Sequence, residues 1–277
     1  MGLVLALAAA VTYGSADFLG GLASRRASTL LVTLVAQSAG LAVVLPIALV
    51  LRTPADPASL AWGAASGVFG CIGIVAFFRA LASGAMSAAA PVTAVVGAAL
   101  PVVAGLLLGE RPGFGAWAGI AAGLVAVATI SWGGERSGGA GRGSLGLAVV
   151  AGVGFGLFFT ALSRAAPTSG LWPLFAGRIG SLSLLAVVLL AGRMPVWRAK
   201  PAALGMAVVS GTVDMTANVF FLLATRQGEL ALVAVLTSLY PAATVLLALV
   251  VLRERLRRSQ LAGVALALLA VALIASG

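Results

Sequence analysis

Apolar stretches of some 20 residues, separated by short breaks rich in arginine, glycine or proline, recur along the whole chain and decide what it can fold into. A helix needs about 20 apolar residues to cross the hydrocarbon layer of a bilayer. Stretches of that kind cover 2–21, 29–51, 59–82, 86–108, 114–133, 144–163, 170–191, 203–225, 229–252 and 259–276. Lipid offers no partner to an exposed backbone amide, so segments of this length must be helices. Composition agrees, with 61% of the 277 residues apolar and 9% charged. A soluble domain carries about 25% charged residues to make its wetted shell. The expected fold is an all-α integral membrane protein of ten transmembrane helices, with the lipid bilayer as its solvent. The net charge of +10 lies between the apolar runs and makes no stripe with interleaved aromatics, so no nucleic-acid partner is expected. The single cysteine, Cys71, allows no intrachain disulfide. Met1-Gly2-Leu3-Val4 lacks a basic leader, and the first apolar run reads as a retained span.

The chain can also be laid over itself. Shifting residues 77–130 forward by 144 positions matches Phe77 to Phe221, Ala80 to Ala224, Gly84 to Gly228, Thr93 to Thr237 and Gly119 to Gly263. The same shift sets Leu108-Gly109-Glu110-Arg111 on Leu252-Arg253-Glu254-Arg255. Shorter matches extend towards the start of each half: Ser66-Gly67 with Ser210-Gly211, and, at a shift of 142, Tyr13-Gly14 with Phe155-Gly156. A duplicated membrane unit is the simplest cause, and such duplication is the usual build of a secondary transporter. The glycine-rich segment around 134–143 then links a first five-helix repeat, 1–133, to a second, 144–277. With five spans in each repeat, the second enters the membrane upside down, which makes an inverted repeat. The breaks after spans 1, 5, 7 and 9 hold eleven Lys and Arg residues, from Arg25 to Arg258, whereas the opposite face holds Arg52, Arg111, Arg164 and Arg226. By the positive-inside rule the first set is cytoplasmic and both termini are outside.

Seven acidic residues and no histidine leave no His-based metal site, triad or general base to assign. No Walker-type phosphate loop occurs, and no cofactor is expected. The informative residues are those that are ionisable within the spans, because a charge at the bilayer centre costs about 2.5–3.5 kcal/mol and by default faces a cavity or a partner. Asp214 and Asn218 share a face of the eighth span with Gly211, Phe221 and Thr225, and Arg178 lies inside the seventh with Ser181 one turn on. They read as a solute or proton site, or as an Arg178–Asp214 salt bridge that neutralises both charges. Tyr13, Asp17, Gly20 or Gly21 and Ser24 form a second stripe, in which Asp17 binds a cation or proton or pairs with Arg25 or Arg26. Gln37 with Thr33 suits an interhelical hydrogen bond, and Gln37 aligns with Arg178 of the other half. Arg79 and Arg226 suit snorkelling to the headgroups. Glu229 suits a helix N-terminus. Pro91, Pro101 and Pro241, with Gly97 aligned to Pro241, point to helix breaks that free carbonyls towards a central cavity. Gly63, Gly67, Gly70 and Gly73 read as close helix packing.

Tyr13-Gly14-Ser15-Ala16-Asp17-Phe18, the Glu-Arg pairs at 110/111 and 254/255, and Leu239-Tyr240-Pro241-Ala242 resemble the EamA family of the drug/metabolite transporter superfamily. The resemblance implies a ten-helix bacterial basket of two inverted repeats around a central solute cavity. It also implies a carrier of amino acids, other metabolites, nucleotide sugars or toxic organic compounds, often an exporter, and termini in the cytoplasm, against the charge bias. The reading from sequence is a non-enzymatic inner-membrane exporter of a small organic solute, working by alternating access, with protons as the candidate coupling ion. Its substrate site would comprise Tyr13, Asp17, Gln37, Arg178, Asp214, Asn218 and Tyr240. Arg178 would hold a carboxylate or counter-charge, Asp214 a cation or proton, and the aromatics an apolar body. The alternatives are an intramembrane lipid-modifying enzyme, which needs a nucleophile or metal cluster, and a structural or lipid-moving protein, which needs no polar centre.

Overall fold

A computed structural model describes residues 2–83, 86–107, 113–134, 142–192, 199–227, 237, 240–252 and 258–276. Among the described residues ten α-helices follow one another: α1 (Gly2–Ser24), α2 (Thr29–Leu51), α3 (Pro57–Ala82), α4 (Met86–Leu107), α5 (Phe114–Gly134), α6 (Arg142–Leu162), α7 (Trp172–Gly192), α8 (Pro201–Thr225), α9 (Tyr240–Val251) and α10 (Arg258–Ser276). Six of them, α1, α2, α3, α6, α7 and α8, are long and apolar enough to cross a membrane, while α4 and α10 carry the shorter apolar stretches Ala89–Leu100 and Leu261–Ala270. Glu110, Arg111, Glu229, Glu254 and Arg255 lie outside the described residues, as does most of the linker. The breaks expected in the fourth span are absent: α4 runs on through Pro91, Gly97 and Pro101. In place of opening the helix, Gly97 faces the backbone of Gly152 on α6.

Local chemistry sets the helix ends. Asp56 caps α3: its Oδ2 accepts from the Ser59 amide at 2.9 Å and from the Ser59 hydroxyl at 2.7 Å, and Pro57 occupies the first turn, where no amide is needed. These bonds hold the Asp56 carboxyl below its ordinary value, so the cap is in place at neutral pH and is lost as pH falls through that lowered value. Ser59 Oγ in turn accepts from the Ala166 amide at 2.9 Å, tying the start of α3 to the turn after α6. At the same end Trp172 Nε1 donates to Thr53 O at 2.9 Å, and Arg226 donates to Gly170 O at 2.6 Å. Arg226 therefore binds a neighbouring loop, where the sequence suggested a headgroup contact. Gly170 has φ +57°, and a Cβ there would overlap the Thr53 side chain, so both space and conformation require glycine.

The other end of the bundle gathers the end of α1, the end of α3 and the start of α6. Arg25 Nε donates to Leu81 O at 3.4 Å, and Ser83 Oγ to Ser144 Oγ at 2.9 Å. This is the arginine-rich end. Consecutive helices thus alternate in direction, and α6 runs opposite to α1.

Helix pairing is reciprocal between the halves. α1 packs on α8 and α6 on α3; α2 packs on α8 and α7 on α3; α1 meets α9 and α6 meets α4; α2 meets α7 and α5 meets α10. Aligned glycines sit at matching crossings. A Cβ on Gly67 would overlap the Gly177 backbone of α7, and one on Gly211 the Ala36 backbone of α2. Gly14 is pressed against Tyr240 and Ala243 of α9, as Gly156 is against Gly97 and Leu100 of α4. Small residues let helix backbones approach where lipid supplies no hydrophobic drive between helices. Surface and interior are inverted relative to a soluble protein. Val50 and Leu190 are 80% exposed, whereas Asp17, Gln37, Arg178 and Asn218 are 4–8% exposed.

A side chain at Gly63 would collide with the backbone of Pro173, which has no rotamer to move. Gly63→Leu is expected to destabilise the detergent-solubilised protein by about 1–3 kcal/mol or more, read as a lower melting temperature. Gly205→Leu, at a position with open space around it, should leave melting unchanged. Equal melting of both variants with the parent would contradict the close α3–α7 crossing.

Candidate functional site

The polar residues converge where α1, α2, α3, α6, α7, α8 and the first residue of α9 surround a cavity. Its empty volume is about 720 Å³, the open side included. All seven residues singled out from sequence, Tyr13, Asp17, Gln37, Arg178, Asp214, Asn218 and Tyr240, line it. On α6 and α7 the lining residues, such as Phe159 and Leu174, come from the halves nearer the end opposite the arginine-rich one.

Arg178 is the hub. Its Nη1 donates to Gln37 Oε1, and its Nη2 to Asp214 Oδ2 at 2.5 Å. Asn218 Nδ2 donates to the same Asp214 oxygen at 3.1 Å and to the Asp214 carbonyl at 2.8 Å, one turn back along α8. Gln37 and Arg178, aligned between the halves, thus meet directly. The guanidinium lies against Gly40, where a Cβ would come within 3.0 Å of Nε. Ser181, one turn beyond Arg178, donates to Gly67 O at 2.7 Å and fixes α7 against α3.

Asp17 differs. It is 5% exposed and lines the cavity, yet among the described residues no side chain donates to its carboxyl, and it pairs with neither Arg25 nor Arg26. Tyr13 Oη and Asn218 Oδ1 are also buried without a partner. A smaller second cavity lies towards the arginine-rich end, lined by Thr33, Ala36, Phe78, Ser210 and Gly211. It shares Asp17, Gln37, Ile74, Arg178 and Asp214 with the first, so the ionic network and Asp17 form the partition between the two.

One wall is aromatic. Tyr13 makes edge contacts with Phe159 and Tyr240, each at 6.4 Å between ring centroids, and Phe159 stands 5.1 Å from both Phe158 and Phe221. Phe155, Phe158 and Phe159 line the cavity and were missed from sequence. The signal for Phe155 was present, since Phe155-Gly156 aligns with Tyr13-Gly14. Ser66, Gly67 and Gly70 also line the cavity, so α3 glycines read as packing residues shape the site as well. Thr225 has no described side chain, and Gly211 serves packing.

Removing one partner of a buried ion pair strands the other, at a cost of about 3–5 kcal/mol, whereas replacing both with apolar groups is often near neutral. Arg178→Met should therefore lower thermal stability by that amount, and Arg178→Met/Asp214→Leu should recover most of it. A double variant no more stable than the single one would mean that the two side chains are not coupled.

Comparison with known proteins agrees with this architecture. No curated protein matches the chain. A crystal structure of a protein with 19% sequence identity superposes with a TM-score of 0.64, covering 96% of this chain and 94% of that one, and so shares its fold. The family model of the EamA-like transporter family matches twice, over residues 1–132 and 144–276. The chain therefore belongs to the EamA-like transporter family and is a multi-pass membrane transporter.

Proposed function

We propose that the protein is a secondary transporter that exports a small organic solute across the bacterial inner (plasma) membrane by alternating access. The observation that carries this reading is the buried polar cavity: several ionisable and amide groups kept in the middle of an apolar bundle, where each is expensive unless it serves a site. The partition of Asp17, Gln37, Arg178 and Asp214 between a larger and a smaller cavity supports alternating access, because the same residues then border space on two sides. The ten-span architecture of two inverted five-helix repeats, 1–133 and 144–277 joined by 134–143, belongs to the same proposal. It is supported by the opposite run of α1 and α6 and by the reciprocal pairing of helices. Export follows the family resemblance, and proton coupling follows the carboxyls of Asp17 and Asp214 within the spans.

Two experiments test the proposal. In proteoliposomes, Asp17→Asn and Asp214→Asn should each abolish most solute flux, by tenfold or more. Undiminished flux in both would remove the acidic residues from the mechanism. For orientation, the arginine-rich end is assigned to the cytoplasm. The native Cys71 is buried, so an introduced cysteine reports alone. A membrane-impermeant maleimide should label Ala55→Cys in intact cells and Ser28→Cys only after permeabilisation. The reverse pattern would place both termini inside.

A further inference from the structure

The cavity holds acceptors that no described side chain satisfies. Arg178 is the one cation among its described lining residues, and both of its terminal nitrogens are engaged, by Gln37 and Asp214. Asp214 accepts from both Arg178 and Asn218 through Oδ2, so its charge is already paired with the guanidinium. Among the groups left over, the Asp17 carboxyl receives no bond from a described side chain, and Asn218 Oδ1 and the Tyr13 hydroxyl are buried without a partner. The charge count points the same way. With both carboxyls ionised, two carboxylates against one guanidinium leave one negative charge, and Asp17 is the one without a counter-ion. An unpartnered carboxylate at this depth is costly, and so is an orphaned amide oxygen. A guest that relieves both must bring N–H donors and one positive charge. Tyr13, Phe155, Phe158, Phe159 and Tyr240 then offer ring faces and apolar surface to the rest of it, and ring faces also attract cations.

From this we propose that the solute is a primary or secondary organic ammonium with an apolar or aromatic body, and that Asp17 is its anionic partner and the residue that sets this specificity. The inference rests on the transporter reading above and narrows it. Of the roles expected from sequence it keeps the Arg178–Asp214 salt bridge and the cation at Asp17, and drops the carboxylate at Arg178 and the cation at Asp214. A carboxylate guest meets a guanidinium whose charge is already paired with Asp214, and faces Asp17 as well. A quaternary ammonium carries the charge but no N–H, and leaves Asn218 Oδ1 unsatisfied.

The test is calorimetric titration of the purified full-length protein in nanodiscs at fixed pH with four probes: 2-phenylethylamine, its N,N,N-trimethyl derivative, phenylalanine and phenylacetate. The amine should bind, the trimethyl compound about tenfold or more weakly by comparison, and phenylacetate not at all, given the worth of a hydrogen bond to a charged group. Asp17→Asn should weaken the amine at least about tenfold, Asp17→Glu should retain more of the affinity, and Asn218→Leu should narrow the gap between the amine and its trimethyl form. Retained melting temperatures show that the isosteric Asp17→Asn variant is folded. Phenylacetate or phenylalanine binding as tightly as the amine, amine binding that survives Asp17→Asn, or no binding of any probe each overturns the proposal. In any of those cases, flux of another solute in proteoliposomes keeps the transporter reading, and flux of none removes it too.

Discussion

The contact between Arg178 and its two partners, Gln37 and Asp214, is what the rest of the bundle is arranged around. Three charged or amide side chains from α2, α7 and α8 meet in a region where water is scarce, and each is tolerable there only because the others are in place. That requirement fixes the rotation of three helices about their axes, since turning any one of them would strand a charge. The glycine crossings make it possible. Gly211 lets α8 approach α2 until their backbones touch, Gly67 does the same for α3 and α7, and Ser181 Oγ bonds across that second crossing. Packing and polarity are therefore one problem, solved twice by aligned residues in the two halves.

The same economy explains why the site is asymmetric although the framework is nearly symmetric. Gln37 in the first half stands where Arg178 stands in the second, and Asp17 on α1 has the aromatic Phe159 on the matched face of α6. A symmetric site would hold like groups face to face, two arginines or two amides. Divergence between the copies makes Gln37 an acceptor for Arg178 and leaves Asp17, among the described residues, as a carboxyl with no side-chain donor. The duplicated scaffold supplies position, and the differences between copies supply chemistry.

Much of this was legible in the sequence for a simple physical reason: hydrocarbon punishes polar groups so heavily that any residue such as Asp17, Arg178 or Asp214 inside an apolar run marks the interior. All seven residues chosen on that ground line one cavity. Helix limits were legible to within about three residues for the same reason, apart from α9, whose described part begins at Tyr240. What the sequence could not supply was rotation and pairing. Asp17 is two turns from Arg25, and only the helix azimuth shows that it faces Gln37 and Asp214 and not the loop. Phe158 and Phe159 resemble any lipid-facing aromatic until α6 is docked on α3. Pro91 and Gly97 looked like a break, but a helix can carry both when its neighbour covers them, as Gly152 covers Gly97.

The decisive quantity is whether water and solutes reach the partition from one side at a time. With Cys71 replaced, Ser66→Cys in the larger cavity and Ser210→Cys in the smaller one can be probed in membranes with a small charged thiol reagent added to either face. The account predicts that Ser66→Cys reacts from the face opposite the arginine-rich end, that Ser210→Cys reacts from the arginine-rich face, and that a bound ammonium solute slows the first reaction. Protection of both positions from both faces would mean a dry, permanently closed interior, and would contradict it.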